Sequence, residues 1–163
     1  MPQSSGHDSV SSQNAASSEP PSGLLRGKHY ATPEVTVSYD ATRCIHVRAC
    51  VEGLPQVFDP AARPWIRPQN AGAALLAEVV SRCPSGALHA VLTAGDGSEQ
   101  NEQPQRPTTI TPMPDGPLAI RGEVSIMTPQ GEQTELRAAL CRCGSSSNKP
   151  FCDGTHARVG WHS

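Results

Sequence analysis

Between Glu34 and Tyr39 the chain alternates, with polar residues separating Val35, Val37 and Tyr39, which is the period of a strand buried on one face. Farther along, Leu75, Leu76, Val79, Val80 and Cys83 recur at helical spacing and predict a helix over 71–82. Asn70 is placed to cap that helix, and Pro84 stops it just after Cys83. The stretch 87–92 reads as a returning strand. Leu118 with Ile120 and Val124 with Ile126 alternate again, a turn is expected at Thr128–Gly131, and a third short strand leads into Cys141.

The intervening stretches are polar. Residues 1–28 are rich in Ser, Pro, Gln and Asn and are expected to form a disordered tail. Residues 94–116 read as a linker by composition. That leaves one module over 29–93 and a second over 117–163. The expected fold class is α+β: a strand–helix–strand unit followed by a small β-rich unit. No internal repeat joins them.

Composition sharpens the question of what holds such modules together. Of 163 residues, 36% are hydrophobic and 4% aromatic, while Gly and Pro number 14 and 16. Small domains with so little apolar material usually need a staple, a disulfide or a metal. Six cysteines are present. The N-terminus has neither the charge nor the apolar run of a secretory signal, and no stretch is apolar enough to cross a membrane. The expected location is therefore cytoplasmic, where thiols serve as metal or cluster ligands rather than disulfides. A net charge of −2 and a pI near 6.3 argue against a nucleic-acid partner.

Four donors crowd the C-terminal segment: Cys141, Cys143, Cys152 and His156. A lone cysteine is often just a small buried hydrophobe. Here the residues between are Gly, Ser, Asn, Lys and Pro, which offer the thiols no core. Cys152 and His156 stand one helical turn apart, and Asp153 is a good N-cap residue for the start of that turn. Three thiolates and an imidazole would suit tetrahedral zinc as well as iron. The complete pattern resembles the CDGSH iron–sulfur domain at Cys141, Cys143, Ser146, Pro150, Cys152, Asp153, Gly154 and His156, with Thr155 where Ser is usual. That resemblance implies a 2Fe–2S cluster, with Cys141 and Cys143 on one iron and Cys152 and His156 on the other. It also makes a homodimer joined through β strands one possible assembly. A neutral imidazole in place of a thiolate raises a cluster's potential, and protonating His156 would weaken its bond to iron.

Cys44, Cys50 and Cys83 make the second group. Cys44-Ile-His-Val-Arg-Ala-Cys50, an intervening helix and then Cys83-Pro-Ser-Gly86 resemble the divergent mono-cluster ferredoxins over residues 34–92. In that family one loop supplies several ligands and a distant Cys-Pro the last, so the first module is expected to be a ferredoxin-like βαβ unit. The usual middle cysteine would fall at position 47, which is Val47. The resemblance thus implies a 3Fe–4S cluster, or a 4Fe–4S cluster completed by His46 or solvent. His46 is otherwise a donor to a ligand rather than a ligand itself. Arg43 and Arg48 are expected to be solvated, Phe58 and Trp65 to serve the core, and His89 to be an ordinary satisfied histidine. His7, His29 and His162 receive no role.

These features point to a two-cluster protein of electron transfer, exchanging electrons with a reductase or acceptor protein. The cluster-carrier or redox-sensor alternative has an apo-protein as acceptor, and the zinc alternative is a stabilised interaction module. The sequence presents no nucleophile–base pair or G-x-S-x-G elbow, so catalysis is not expected. With metal as the staple, the iron-free chain should be partly unfolded.

Overall fold

The computed structural model describes residues 24–163. Most of the expected tail lies outside those residues, but its last part is ordered. Leu24 is only 5% exposed, and Arg26 pairs with Glu135 at 2.9 Å. Strand β1 (Lys28–Ala31) follows and pairs antiparallel with β2 (Val35–Tyr39), the strand expected from the alternating valines. Helix α1 (Ala49–Gly53) is a short turn within the first cysteine loop.

Helix α2 (Ala73–Ser81) begins later than expected. Gly72 occupies its cap position, and Asn70 instead donates its side-chain amide to the Gln56 carbonyl. Leu76, Val79 and Val80 are buried, but Leu75 is 48% exposed. The stripe is therefore narrower than its residue types suggested. Strands β3 (Leu88–Thr93) and β4 (Glu99–Asn101) complete a sheet of order β1-β2-β3-β4 in which every pairing is antiparallel. The class is α+β, with α1 and α2 between two strands that are antiparallel neighbours.

β4 and β5 (Thr109–Pro112) both lie in the stretch expected to be linker. β5 pairs with β6 (Leu118–Thr128), which turns at Pro129–Gln130 into β7 (Gly131–Leu140). Helix α3 (Thr155–Arg158) ends the ordered elements. Among the described residues no helix is long and apolar enough to cross a membrane.

The two sheets enclose unequal cores. Val35, Val37, Leu54, Val57, Phe58, Ile66, Leu76, Val79, Val80, Leu88 and Ala90 form the first, with Trp65 packed at its margin. Ile120, Ile126, Ala138 and Phe151 form the second. Burial of this kind contributes about 25 cal/mol per Å² of apolar surface, so the second module has far less to fold around.

Polar residues join the two. Residues 135–139 of β7 are all buried, because one face of the strand covers its own core and the other meets the first module. Arg137 crosses that seam: its guanidinium donates to the carbonyls of Val80 at 3.1 Å, Leu88 at 2.8 Å and Cys83, and grips the Glu102 carboxylate at 2.8 and 2.6 Å. Arg43 crosses in the opposite direction. Against the expectation that it is solvated, it is 3% exposed, ion-pairs with Glu135 at 2.8 Å and lies over the Phe151 ring at 3.8 Å. The sequence offers no sign of this, because Glu135 is distant along the chain. His89 is a core residue beside Arg137 and Glu102, and burial lowers its pKa and keeps it neutral.

Removing one partner of a buried ion pair typically costs roughly 3–5 kcal/mol. Arg137→Ala should therefore lose about 3 kcal/mol in urea unfolding of the iron-loaded protein; a loss within experimental error would show the seam to be energetically idle. Iron chelation should release amide protection first in β5–β7 and only later in β2, α2 and β3, as read by hydrogen exchange. Simultaneous release in both modules would contradict this division of cores.

Candidate metal centres

The C-terminal donors sit where β7 runs out into a hydrogen-bonded loop. The Cys141 N–H donates to the Pro150 carbonyl at 2.9 Å, and the Cys152 N–H to the Ala139 carbonyl at 2.7 Å. Buried Ser146 donates to the Phe151 carbonyl at 2.6 Å and accepts from the Asn148 N–H at 3.1 Å. These bonds fold the loop back so that its two halves face each other.

Cys141 Sγ and Cys143 Sγ are 3.7 Å apart. Two thiolates on one tetrahedral metal, each at about 2.3 Å, would be roughly 3.8 Å apart. Cys152 Sγ and His156 Nδ1 are separated by 3.2 Å. A thiolate at about 2.3 Å and an imidazole at about 2.0 Å on one metal span roughly 3.5 Å. The donors thus form two metal-sized pairs, and among the described residues no three His, Cys, Asp or Glu side chains close around a single ion.

Backbone N–H groups point at these sulfurs, from Ser145 to Cys143 and from Gly154 to Cys152, each at 3.4 Å. Burial opposes a charge on Cys141, but N–H groups of Ser146 and Gly144, neighbouring Cys143 and Lys149 outweigh it and hold the thiol below its usual range. Burial wins at Cys152 and raises its pKa, with the Gly154 N–H offsetting only part. A bound metal compensates such burial by holding the ligand as thiolate.

Asp153 does not cap α3 as expected. Gly154 takes the cap position at φ 80, a left-handed conformation suited to glycine. The Asp153 carboxylate instead accepts the N–H of Ser147 at 2.9 Å and of Thr155 at 3.0 Å, tying the two halves of the loop. Burial works against its charge, yet these hydrogen bonds prevail and hold its pKa at about 2.

The N-terminal donors also converge. Cys44, Cys50 and Cys83 line one small cavity, of about 30 Å³, with His46, Val47, Tyr39 and Trp65. Burial and the nearby thiols of Cys44, Cys50 and Cys83 push the Tyr39 hydroxyl well above its usual pKa. Burial and then Cys83 push Cys50 up to about 11. A buried thiol whose charge is opposed by burial and by neighbouring Cys83 is the kind of group that a bound cation relieves. Val47 supplies no donor and is 45% exposed. His46, at φ 58, brings Nδ1 to 3.7 Å from Cys44 Sγ and also lines the cavity. Cys83 is set by the tight Pro84–Gly86 turn, in which Gly86 (φ 68) lies so close to β7 that an added Cβ would come 2.3 Å from the Arg137 carbonyl oxygen.

The two centres are neighbours. Ile45, between two of the cavity-lining residues, packs in a small buried cluster with Cys152 and Ala139. A Cβ built on Gly154 would meet His46 Cδ2 and Ile45 Cα at 3.5 Å. Asn148 of the C-terminal loop donates to the Thr42 carbonyl at 3.1 Å. The structure brings together the seven cysteine and histidine donors named from the sequence within their two groups, with His46 beside Cys44; sequence reasoning missed Tyr39 beside the thiols and the contact between the loops.

Comparison with known proteins agrees with this division. A family model described as "Divergent 4Fe-4S mono-cluster" matches residues 30–93, and one described as "Iron-binding zinc finger CDGSH type" matches residues 115–157. The chain is 34% identical over 67 residues to the uncharacterized protein YjdI of Escherichia coli K12, covering 40% of this chain and 88% of that relative. YjdI of E. coli O157:H7 matches to the same extent. No solved structure matches.

Protonating Asp153 should loosen the loop. Because its folded pKa is depressed, its stabilisation is complete above the ordinary carboxylate range and fades as pH falls toward about 2. Asp153→Ala should bring the same loosening at neutral pH, read as faster amide exchange at Ser147 and Thr155. Unchanged exchange at both would mean the carboxylate does not brace the loop.

Proposed function

Because the chain belongs to the divergent 4Fe–4S mono-cluster family over residues 30–93 and to the CDGSH iron-binding family over residues 115–157, and so carries two iron–sulfur binding domains, we propose that it is an electron-transfer protein with two clusters of unequal potential. The carrying observation is the contact between the ligand loops, Ile45 against Cys152 and His46 against Gly154. Two independent storage sites would have no need of it.

When bound, the clusters would supply one-electron storage at two potentials. Cys141 and Cys143 would hold one iron of a 2Fe–2S group, and Cys152 and His156 the other; the pairing of donors favours this over a single zinc ion. Cys44, Cys50 and Cys83 would hold a 3Fe–4S or 4Fe–4S group, with His46 beside Cys44 as donor to the thiolate or as fourth ligand. His156 puts a neutral imidazole where a thiolate would otherwise stand, which raises the potential of the C-terminal cluster, so that site is assigned the upper potential and the N-terminal site the lower. No catalytic role is proposed. His156 is only half-buried, which also supports the cluster-carrier alternative, because water can reach the ligand that protonates.

EPR-monitored potentiometric titration of anaerobically purified protein tests this reading. Two one-electron steps are expected. The upper one should rise as pH falls, by at most roughly 59 mV per pH unit, and His156→Cys should lower it and abolish the pH dependence. A pH-independent upper potential, or rapid cluster loss to an apo-ferredoxin without electron exchange, would overturn it in favour of a carrier.

A further inference from the structure

An open depression lies over the N-terminal cysteines, with Cys44, Cys50, His46 and Trp65 among its lining residues. Lys28 from β1, Arg48 from the cysteine loop and Arg63 from the irregular stretch before Trp65 also line it, and no carboxylate does. All three cations are exposed. Among the described residues none of them pairs with a carboxylate. Lys28 Nζ sits over the Tyr30 ring at 5.3 Å, and Arg63 donates to the carbonyls of Pro60 and Ala62 at 3.0 and 2.7 Å. None of the three thus meets a carboxylate of the described residues, on a chain whose net charge is −2. The exposed Val47 stands in the loop beside Arg48 and offers an apolar contact within the basic rim.

We propose that this face is the docking surface for an acidic one-electron carrier protein, whose carboxylates meet Lys28, Arg48 and Arg63 while its redox centre approaches the Cys44–Cys50 loop. The proposal rests on the electron-transfer reading above and names the partner's chemistry. Complementary charge steers encounter and fixes orientation more than it adds affinity, and its effect falls as salt rises. In the transfer itself one electron leaves the reduced carrier and is gained by this protein, with no bond made or broken. None of the C-terminal donors lines this depression, so the basic face selects the N-terminal site as the point of entry.

The test follows the rate at which reduced plant-type ferredoxin, an acidic one-electron donor, reduces the iron-loaded protein in stopped flow. The cationic reductant methyl viologen radical serves as the control. The variant is Lys28→Glu with Arg48→Glu, which leaves Arg63 and its carbonyl contacts in place. Iron content, sulfide content and visible spectrum establish that the variant is loaded, and Lys28→Gln with Arg48→Gln replaces it if it is not. Wild-type reduction by ferredoxin should slow with rising salt, and charge reversal should slow it at low salt by on the order of tenfold or more. Reduction by methyl viologen should not slow in the variant. Ferredoxin rates insensitive to salt and to charge reversal, with methyl viologen still effective, would overturn the docking surface alone. Failure of both reductants to reduce either site would overturn the electron-transfer reading and the docking surface with it.

Discussion

Arg137 leaves β7 of one module and buries its guanidinium among the carbonyl oxygens of the other. A buried guanidinium is tolerable only where every donor is met and its charge is balanced. Here Val80, Cys83 and Leu88 supply the oxygens and Glu102 the charge. That requirement makes the seam specific: Arg137 fits only if α2 ends and β3 begins where they do. The Cys83 turn lies between those two elements, so a thiol of the first centre is held in place by a residue of the second module.

Arg43 answers from the other side. It leads directly into Cys44 and reaches Glu135 and the face of Phe151, the residue before Cys152. Each ligand loop is thus anchored in part by the opposite module. The resulting closeness of Ile45 and Cys152 follows from these anchors rather than from any contact between apolar surfaces of useful size.

Local chemistry explains what was legible in the sequence. The valines of β2, the stripe of α2 and the cysteine spacings are short-range patterns, and their elements and donors appear where those patterns put them. What escaped depends on partners far along the chain. Glu135 and Arg137 look like the wet face of an edge strand, because nothing near them announces a second covering surface. Arg43 beside an exposed loop has the same look. β4 and β5 escaped for a different reason: their residues are polar, and only pairing with β3 and β6 makes them strands. Asn70 and Asp153 are good capping residues that found tertiary or loop partners instead.

Glu102 deserves its own consequence. It belongs to the connecting segment just past β4, yet it supplies the carboxylate that neutralises Arg137. A tether that contributes a counter-ion is no longer a spacer. Recombination that exchanged this stretch for one of equal length without a carboxylate at that place would deliver both cofactor modules and still leave a naked cation between them.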